Sequence, residues 1–220
     1  MFVHNNFEQR SPEWYQIREG KITASPILNI LGKDTLQTTK DAIENLAMVL
    51  AIESVHGMIE SDYVSFDMQR GIDLEPFAFN RLESILNESF ISLEKVAFIE
   101  YSEHIGASPD GYVIGKAIAE IKCPTAENLF KLQLTDKIAP KYIAQMQHQM
   151  LCSETEKGYF FSFAIHKGRE HYYLKEIERD EATINLIKQR SEIVIEKKLN
   201  YIEKLKTQAN DHTRRNQKEI

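Results

Sequence analysis

The chain has 220 residues, 42% of them hydrophobic and 27% charged, with a formal net charge of −6. That length favours one large domain over two and buries roughly 70% of the unfolded chain's surface, so no staple is required. Two cysteines, Cys123 and Cys152, are too few for a disulfide scaffold or a four-cysteine zinc or iron–sulfur centre. Each reads as a small buried hydrophobe. The N-terminal stretch lacks a leader pattern, and no apolar run approaches the roughly 20 residues that span a bilayer. A reduced, cytoplasmic protein without membrane contact is expected. The charge is uneven, since residues 197–220 hold seven Lys/Arg against three Asp/Glu. We expect a single domain over residues 1–206 and a basic, partly disordered tail over 207–220.

In chain order, Ser11-Pro12 reads as a helix start, with serine as cap and proline at the first helical position, and Gly20 as its end. A second short helix is predicted to begin within Lys21–Pro26, capped by Thr23 or Ser25. Arg18 and Ser25 then share a junction of helices, where exposed N–H groups bind phosphates; a surface arginine and a capping serine read equally from these residues alone. Apolar spacing through Ile43, Leu46, Ala47 and Leu50 predicts a core helix over Asp41–His56. After a loop over Ser61–Asp67, Pro76 is expected to start or kink the next helix, which leaves Glu75 at its N-terminal side.

Strands are predicted over Phe90–Tyr101, Ile105–Ile114 and Ala117–Cys123, with a short helix over Thr125–Leu134. Pro140 opens a helix whose buried stripe is Ile143, Met146 and Met150. Tyr142, Gln145 and Gln149 line its polar side, either as a solvated face or as contacts to a backbone or water. Two aromatic strands, Gly158–Ile165 and His171–Ile177, flank the turn Lys167-Gly168-Arg169, and a long helix over Glu181–Lys206 closes the fold. The layout is α+β, in α/β/α layers around a mixed central sheet.

The chemistry concentrates in Ser108-Pro109-Asp110-Gly111 and Glu120-Ile121-Lys122. On a strand, Glu120 and Lys122 emerge on one face. If Gly115-Lys116 closes a hairpin, Asp110 returns beside Glu120. Two converging carboxylates hold a hard cation such as magnesium, and a neighbouring lysine orients water. Glu-x-Lys also occurs at Glu19/Lys21 and Glu196/Lys198. The latter pair lies in predicted helix, where positions two apart diverge by roughly 200° and share no site.

Five ordered blocks carry a resemblance. They are Trp14 to Ser25, Arg70-Gly71 with Glu75-Pro76, Ser108 to Gly111, Glu120 to Pro124, and Tyr142-x-Ala144-Gln145-x-Gln147. Over residues 11–178 the chain resembles the lambda-exonuclease and YqaJ-type viral recombinase family of the PD-(D/E)xK superfamily. The resemblance implies a restriction-endonuclease-like core and an Mg2+-dependent 5′→3′ exonuclease of double-stranded DNA ends, with two ions for which Mn2+ can substitute. By the same resemblance, Asp110, Glu120, Glu75 and the Ile121 carbonyl are metal ligands, and Lys122 activates water. Gln145 contacts the active-site water, and Arg18, Ser25 and Ser108 hold the 5′-phosphate. Met68 falls at the apolar wedge that parts the terminal base pair. Where relatives place an arginine beyond Ser25, this chain offers Lys33 alone. The resemblance further implies a ring-shaped homotrimer, a single-strand annealing protein as partner, and a phage or prophage origin in a bacterial host. The other readings of the residues are an endonuclease on the same core and an idle DNA-end-binding relative.

Overall fold

A computed structural model describes residues 1–32, 36–58 and 65–216, without the side chains of 36–39 and 209–216. The elements are β1 (Phe2–His4), α1 (Pro12–Arg18), α2 (Ile27–Leu31), α3 (Leu36–His56), α4 (Phe66–Asn87), β2 (Phe98–Ser102), β3 (Ile105–Ala107), β4 (Gly111–Val113), β5 (Ala117–Lys122), α5 (Ala126–Thr135), α6 (Pro140–Ser153), β6 (Lys157–His166), β7 (Arg169–Glu178) and α7 (Glu181–Asn216). The central sheet runs β4-β5-β6-β7, with β5 and β6 parallel and both edges antiparallel. A second sheet, β1-β2-β3, is antiparallel throughout.

Alternation along the central strands divides the core in two. Ile118 and Phe160 point into a cluster with Ile27, Ile43, Met146, Met150 and Ile187, contributed by α2, α3, α6 and α7. Ala119, Ile121, Phe161 and Phe163 point the other way, against Ala78, Phe79 and Leu82 of α4. This is the α/β/α sandwich with a mixed sheet that the sequence predicts. Glu120 and Lys122 continue the Ile118 row and so emerge beneath α6. Among the described residues, no helix is long and apolar enough to cross a membrane.

The local chemistry explains most boundaries. Ser11 caps α1 by accepting from the Trp14 N–H at 3.3 Å, with Pro12 next. Thr125 caps α5 in the same way. The β4–β5 hairpin closes as predicted through Gly115, whose φ of +65° suits glycine.

Several predictions are corrected. The short helix starts at Ile27 without a side-chain cap, because Ile22 is taken up in a parallel bridge to Ile105. Neither Thr23 nor Ser25 caps it. Pro76 does not start a helix: Ser65 caps α4 eleven residues earlier, so Glu75 lies inside the helix, away from its positive end. Pro76 is exposed there, and the Ile72 carbonyl one turn back goes without its helical donor. The strand expected from Phe90 begins at Phe98; Phe90 itself is exposed at positive φ, and Glu94 makes one isolated bridge to Tyr112. The strand expected over Ile105–Ile114 is two strands in different sheets, broken at Ser108-Pro109-Asp110. The polar side of α6 is not solvated throughout, since Gln149 is fully buried. The last helix extends past Lys206 to Asn216.

Candidate active site

The break between the two sheets places the site. Ser108 follows β3, Asp110 immediately precedes β4, and the peptide between them is held by Gln9. Its amide donates to the carbonyls of Pro109 at 3.0 Å and Val96 at 2.9 Å. The hairpin register sets Gly111 opposite Ala119, so Asp110 returns next to Glu120. The Asp110 N–H donates to the Ala119 carbonyl at 3.0 Å, and Asp110 Oδ2 accepts from the Ile121 N–H at 2.6 Å.

These groups open onto a cleft of about 820 Å3. Arg18, Ser25, Met68, Glu75, Ser108, Asp110, Glu120, Ile121, Lys122 and Gln145 all line it. The structure thus brings together every predicted site residue except Lys33, which lies outside the described residues. Five Lys/Arg line the cleft against four Asp/Glu, so its walls are not acidic although the chain carries −6. An anionic strand is therefore not repelled once cations screen the carboxylates.

The electrostatics of the carboxylate pair are set by burial and by one neighbouring lysine. Glu120 is 1% exposed and contacts the Lys122 ammonium directly. Burial and the adjacent Glu120 charge push the Asp110 carboxyl up to about 8. Burial pulls the Lys122 ammonium down, but Glu120 and Asp110 outweigh it and hold it above its ordinary range. One lysine therefore faces two carboxyl groups, and ionising Asp110 beside Glu120 leaves a negative charge that a cation would answer. Among the described residues, no three His, Cys, Asp or Glu side chains converge to cage an ion unaided. Asp110, Glu120 and the Ile121 carbonyl form an open set of oxygens, which suits magnesium because that ion keeps several of its waters.

A second cluster lies on the other wall. The Ser108 hydroxyl accepts from Trp14 Nε1 at 2.8 Å and from Arg18 Nη1 at 3.1 Å. Its own proton remains to donate. The Arg18 guanidinium lies 4.0 Å over the Trp14 ring, and burial lowers it to about 10 despite Glu53 nearby. Its Nε is buried without an acceptor. A half-buried guanidinium short of acceptors can receive an oxyanion. The Gly20 turn behind it is clamped from both sides, its N–H donating to Glu53 at 3.1 Å and its carbonyl accepting from Lys198 at 2.7 Å. A side chain at Gly20 would be strained by its φ of +66° and would force Ser54 Oγ, 2.0 Å from a Cβ there, to move. Lys198, half of the third Glu-x-Lys, is thus a structural clamp.

Two residues near the site were not among the predicted site residues. Gln149 donates to Glu120 Oε2 at 2.5 Å, both side chains buried. Arg10 pairs with Glu75 at 2.5 Å. Gln149 sits on the same helical row as Gln145, which was the available signal; nothing in the sequence marks Arg10.

A family model described as the YqaJ-like viral recombinase domain matches residues 13–156, well over half of the chain. An uncharacterized protein of Bacillus subtilis (strain 168), YqaJ, is 37% identical over 98 residues, which cover 42% of this chain and 30% of that protein's length. The fold is similar to the crystal structure of an alkaline exonuclease from Laribacter hongkongensis, with 30% identity, a TM-score of 0.76, and 91% of this chain and 99% of that one covered. A second structure of that enzyme, in complex with dAMP, gives a TM-score of 0.75 at the same identity and coverage. A phage-related exonuclease from Haemophilus somnus 129PT, 19% identical with a TM-score of 0.58, covers 86% of this chain and 96% of its own and shares the fold.

Proposed function

The chain belongs to the YqaJ-like viral recombinase family, and from that premise we propose that it is a magnesium-dependent 5′→3′ exonuclease that degrades one strand of linear double-stranded DNA and leaves a 3′ single strand. The observation that carries this reading is the joining of two clusters in one cleft. Asp110, Glu120 and Lys122 are equipped for phosphodiester hydrolysis; Arg18, Ser108 and Ser25 are equipped to hold a phosphate beside them. A phosphate receptor fixed beside the hydrolytic groups favours a cut counted from a strand end over one placed internally. The similarity to the Laribacter alkaline exonuclease, and its crystallisation with dAMP, a nucleoside monophosphate of the kind an exonuclease releases, support the same choice.

Asp110, Glu120, the Ile121 carbonyl and Glu75 would hold the ions. Bound there, magnesium supplies Lewis-acid stabilisation of the phosphoryl oxygens and makes a water acidic enough to attack. The remaining work falls to the chain. Lys122, fixed by Glu120, keeps its ammonium at the reaction centre and orients the attacking water. Arg18 and the Ser108 and Ser25 hydroxyls donate to the 5′-phosphate, which sets the register of each cut. By the same reading Gln145 would contact the scissile region, and Met68, 53% exposed on α4, would press on the terminal base pair. Donors fixed where charge develops contribute on the order of several kcal/mol to such a reaction. A ring of three copies around the duplex and a single-strand annealing partner complete the proposal, on family resemblance alone.

The test is digestion of end-labelled, 5′-phosphorylated linear duplex and of a covalently closed circle, each with Mg2+ and with EDTA. Mononucleotides from the linear duplex only, and only with Mg2+, are expected. Cleavage of the circle would convert the reading to an endonuclease, and no product from either would refute hydrolysis.

A further inference from the structure

Arg10 has no part in the function as proposed so far. It stands immediately before the Ser11 cap, with a φ of 70° that an L-residue adopts only under constraint. The constraint is the neighbouring Gln9, tied to Val96 and Pro109, which fixes this turn to the segment carrying Ser108 and Asp110. The turn sends the Arg10 guanidinium to Glu75 at 2.5 Å. Gln9, Arg10, Glu75 and Asp110 line both the main cleft and a second cavity of about 370 Å3 between the N-terminal segment, α4 and residues 95–97. The ion pair stands between these two openings, beside Asp110. Glu75 is the acid missing from the cation cluster: three side chains do not converge there, and Glu75 is engaged by Arg10 instead.

We infer that Arg10 competes with the divalent cation for Glu75 and, once a cation displaces it, donates to a phosphate of the DNA strand in the cleft. The inference rests on the magnesium-site reading above. The guanidinium fork fits a carboxylate and a phosphate equally well, so one side chain can serve the two anions in turn. Before a cation binds, the pairing offsets only part of the Glu75 charge, which still adds to that of Glu120 in raising Asp110. The side chains of Arg10 and Glu75 are 44% and 30% exposed, and a pair so accessible to water is worth only a factor of about two to five in an equilibrium. A divalent ion overcomes that readily. Cation loading and phosphate binding are then coupled through Arg10, because each releases the group the other requires.

The test uses Arg10→Gly, since glycine accepts the turn without strain, and Arg10→Lys. Cation binding is followed without DNA, by calorimetry and by Mg2+-dependent or Mn2+-dependent thermal shift; turnover is measured separately on 5′-phosphorylated duplex at saturating metal. Arg10→Gly is expected to lower the half-saturating cation concentration by about two- to five-fold while lowering kcat by about tenfold or more. Arg10→Lys is expected to fall between it and the parent. A merely structural residue would move both in the same direction. Unchanged cation affinity in Arg10→Gly would overturn the inference, as would tighter binding with undiminished kcat. Failure of the parent protein to bind either cation would instead overturn the magnesium-site reading, and the inference with it.

Discussion

Replacing Gln149 by leucine removes one hydrogen bond from Glu120 and changes little else in volume. In the native arrangement Gln149 Nε2 donates to Glu120 Oε2 at 2.5 Å, and neither side chain reaches water. A hydrogen bond to a charged group contributes about 1.5–3 kcal/mol to stability. The same side chain carries an opposing cost, because Gln149 Oε1 is buried with no donor. Burying an unsatisfied amide oxygen costs about 1–3 kcal/mol, and leucine relieves it. Because leucine also leaves Glu120 Oε2 buried without its donor, the two effects cancel only in part, and Gln149→Leu is expected to lose about 1–3 kcal/mol of unfolding free energy. The effect on the site does not cancel. Glu120 retains only Lys122 to orient it, and loss of an orienting partner behind a ligating carboxylate costs about 10- to 100-fold in metal affinity or activity. Urea unfolding, Mg2+ titration and single-turnover digestion of a 5′-phosphorylated duplex measure the three quantities. Native turnover with native Mg2+ affinity would refute an orienting role for Gln149. Loss of more than about 3 kcal/mol of stability would show that the amide serves the core instead.

Four further outcomes are expected. Lys122→Ala abolishes turnover while circular dichroism and DNA binding persist; activity within about tenfold of the parent would refute its role at the reaction centre. Asp110 is held protonated up to about 8, so its contribution to stability falls as pH rises from about 4 to about 8. A cation that requires the ionised acid reverses this loss, and the Mg2+-induced rise in Tm should grow across that window; equal increments at about pH 6 and about pH 9 would contradict it. His148 is buried against the Gly106 carbonyl at 3.1 Å, and burial lowers it to about 4. The fold therefore carries it neutral, and stability present above about pH 6.5 is lost as pH falls toward 4, by roughly 3 kcal/mol, a slope that His148→Gln should remove in denaturation curves. Arg18→Gln is expected to erase most of the preference for 5′-phosphorylated over 5′-hydroxyl ends, by about tenfold, with little change in Mg2+ affinity; an unchanged preference would place the phosphate receptor elsewhere.

Much of the site was legible because its signals are local. Gly115 at a positive φ, the alternation of Ala117–Lys122, and the Ser11, Thr125 and Pro140 helix starts each act within a few residues. What escaped depends on partners far along the chain. The three residues of β1 gain strand character only by pairing with β2, almost a hundred positions later. The break after Ala107 comes from a chain that leaves one sheet for another, and Pro109 is its sole local mark. Pro76 misled because helix-breaking is a local rule, whereas α4 is fixed by the Ser65 cap and by the burial of Ala78, Phe79 and Leu82 against the central sheet.

Gln149 shows why the second layer of a site resists reading. A glutamine on a helix is polar by type, and spacing alone leaves it open between a solvated face and a polar contact. Its burial follows from Glu120, a carboxylate that an apolar strand carries inward on the same row as Ile118. Given a buried carboxylate beneath α6, the helix must supply a donor at the facing position, because an unpaired charge there would cost more than any single packing contact returns. The identity of that donor is thus determined by the sheet register and the placement of α6 together. The same reasoning applies to Arg10 and Glu75, where a constrained turn is needed only because the acid opposite lies within a helix. Residues that hold chemistry announce themselves by type and spacing; residues that hold those residues become visible only when the fold has brought two distant segments face to face.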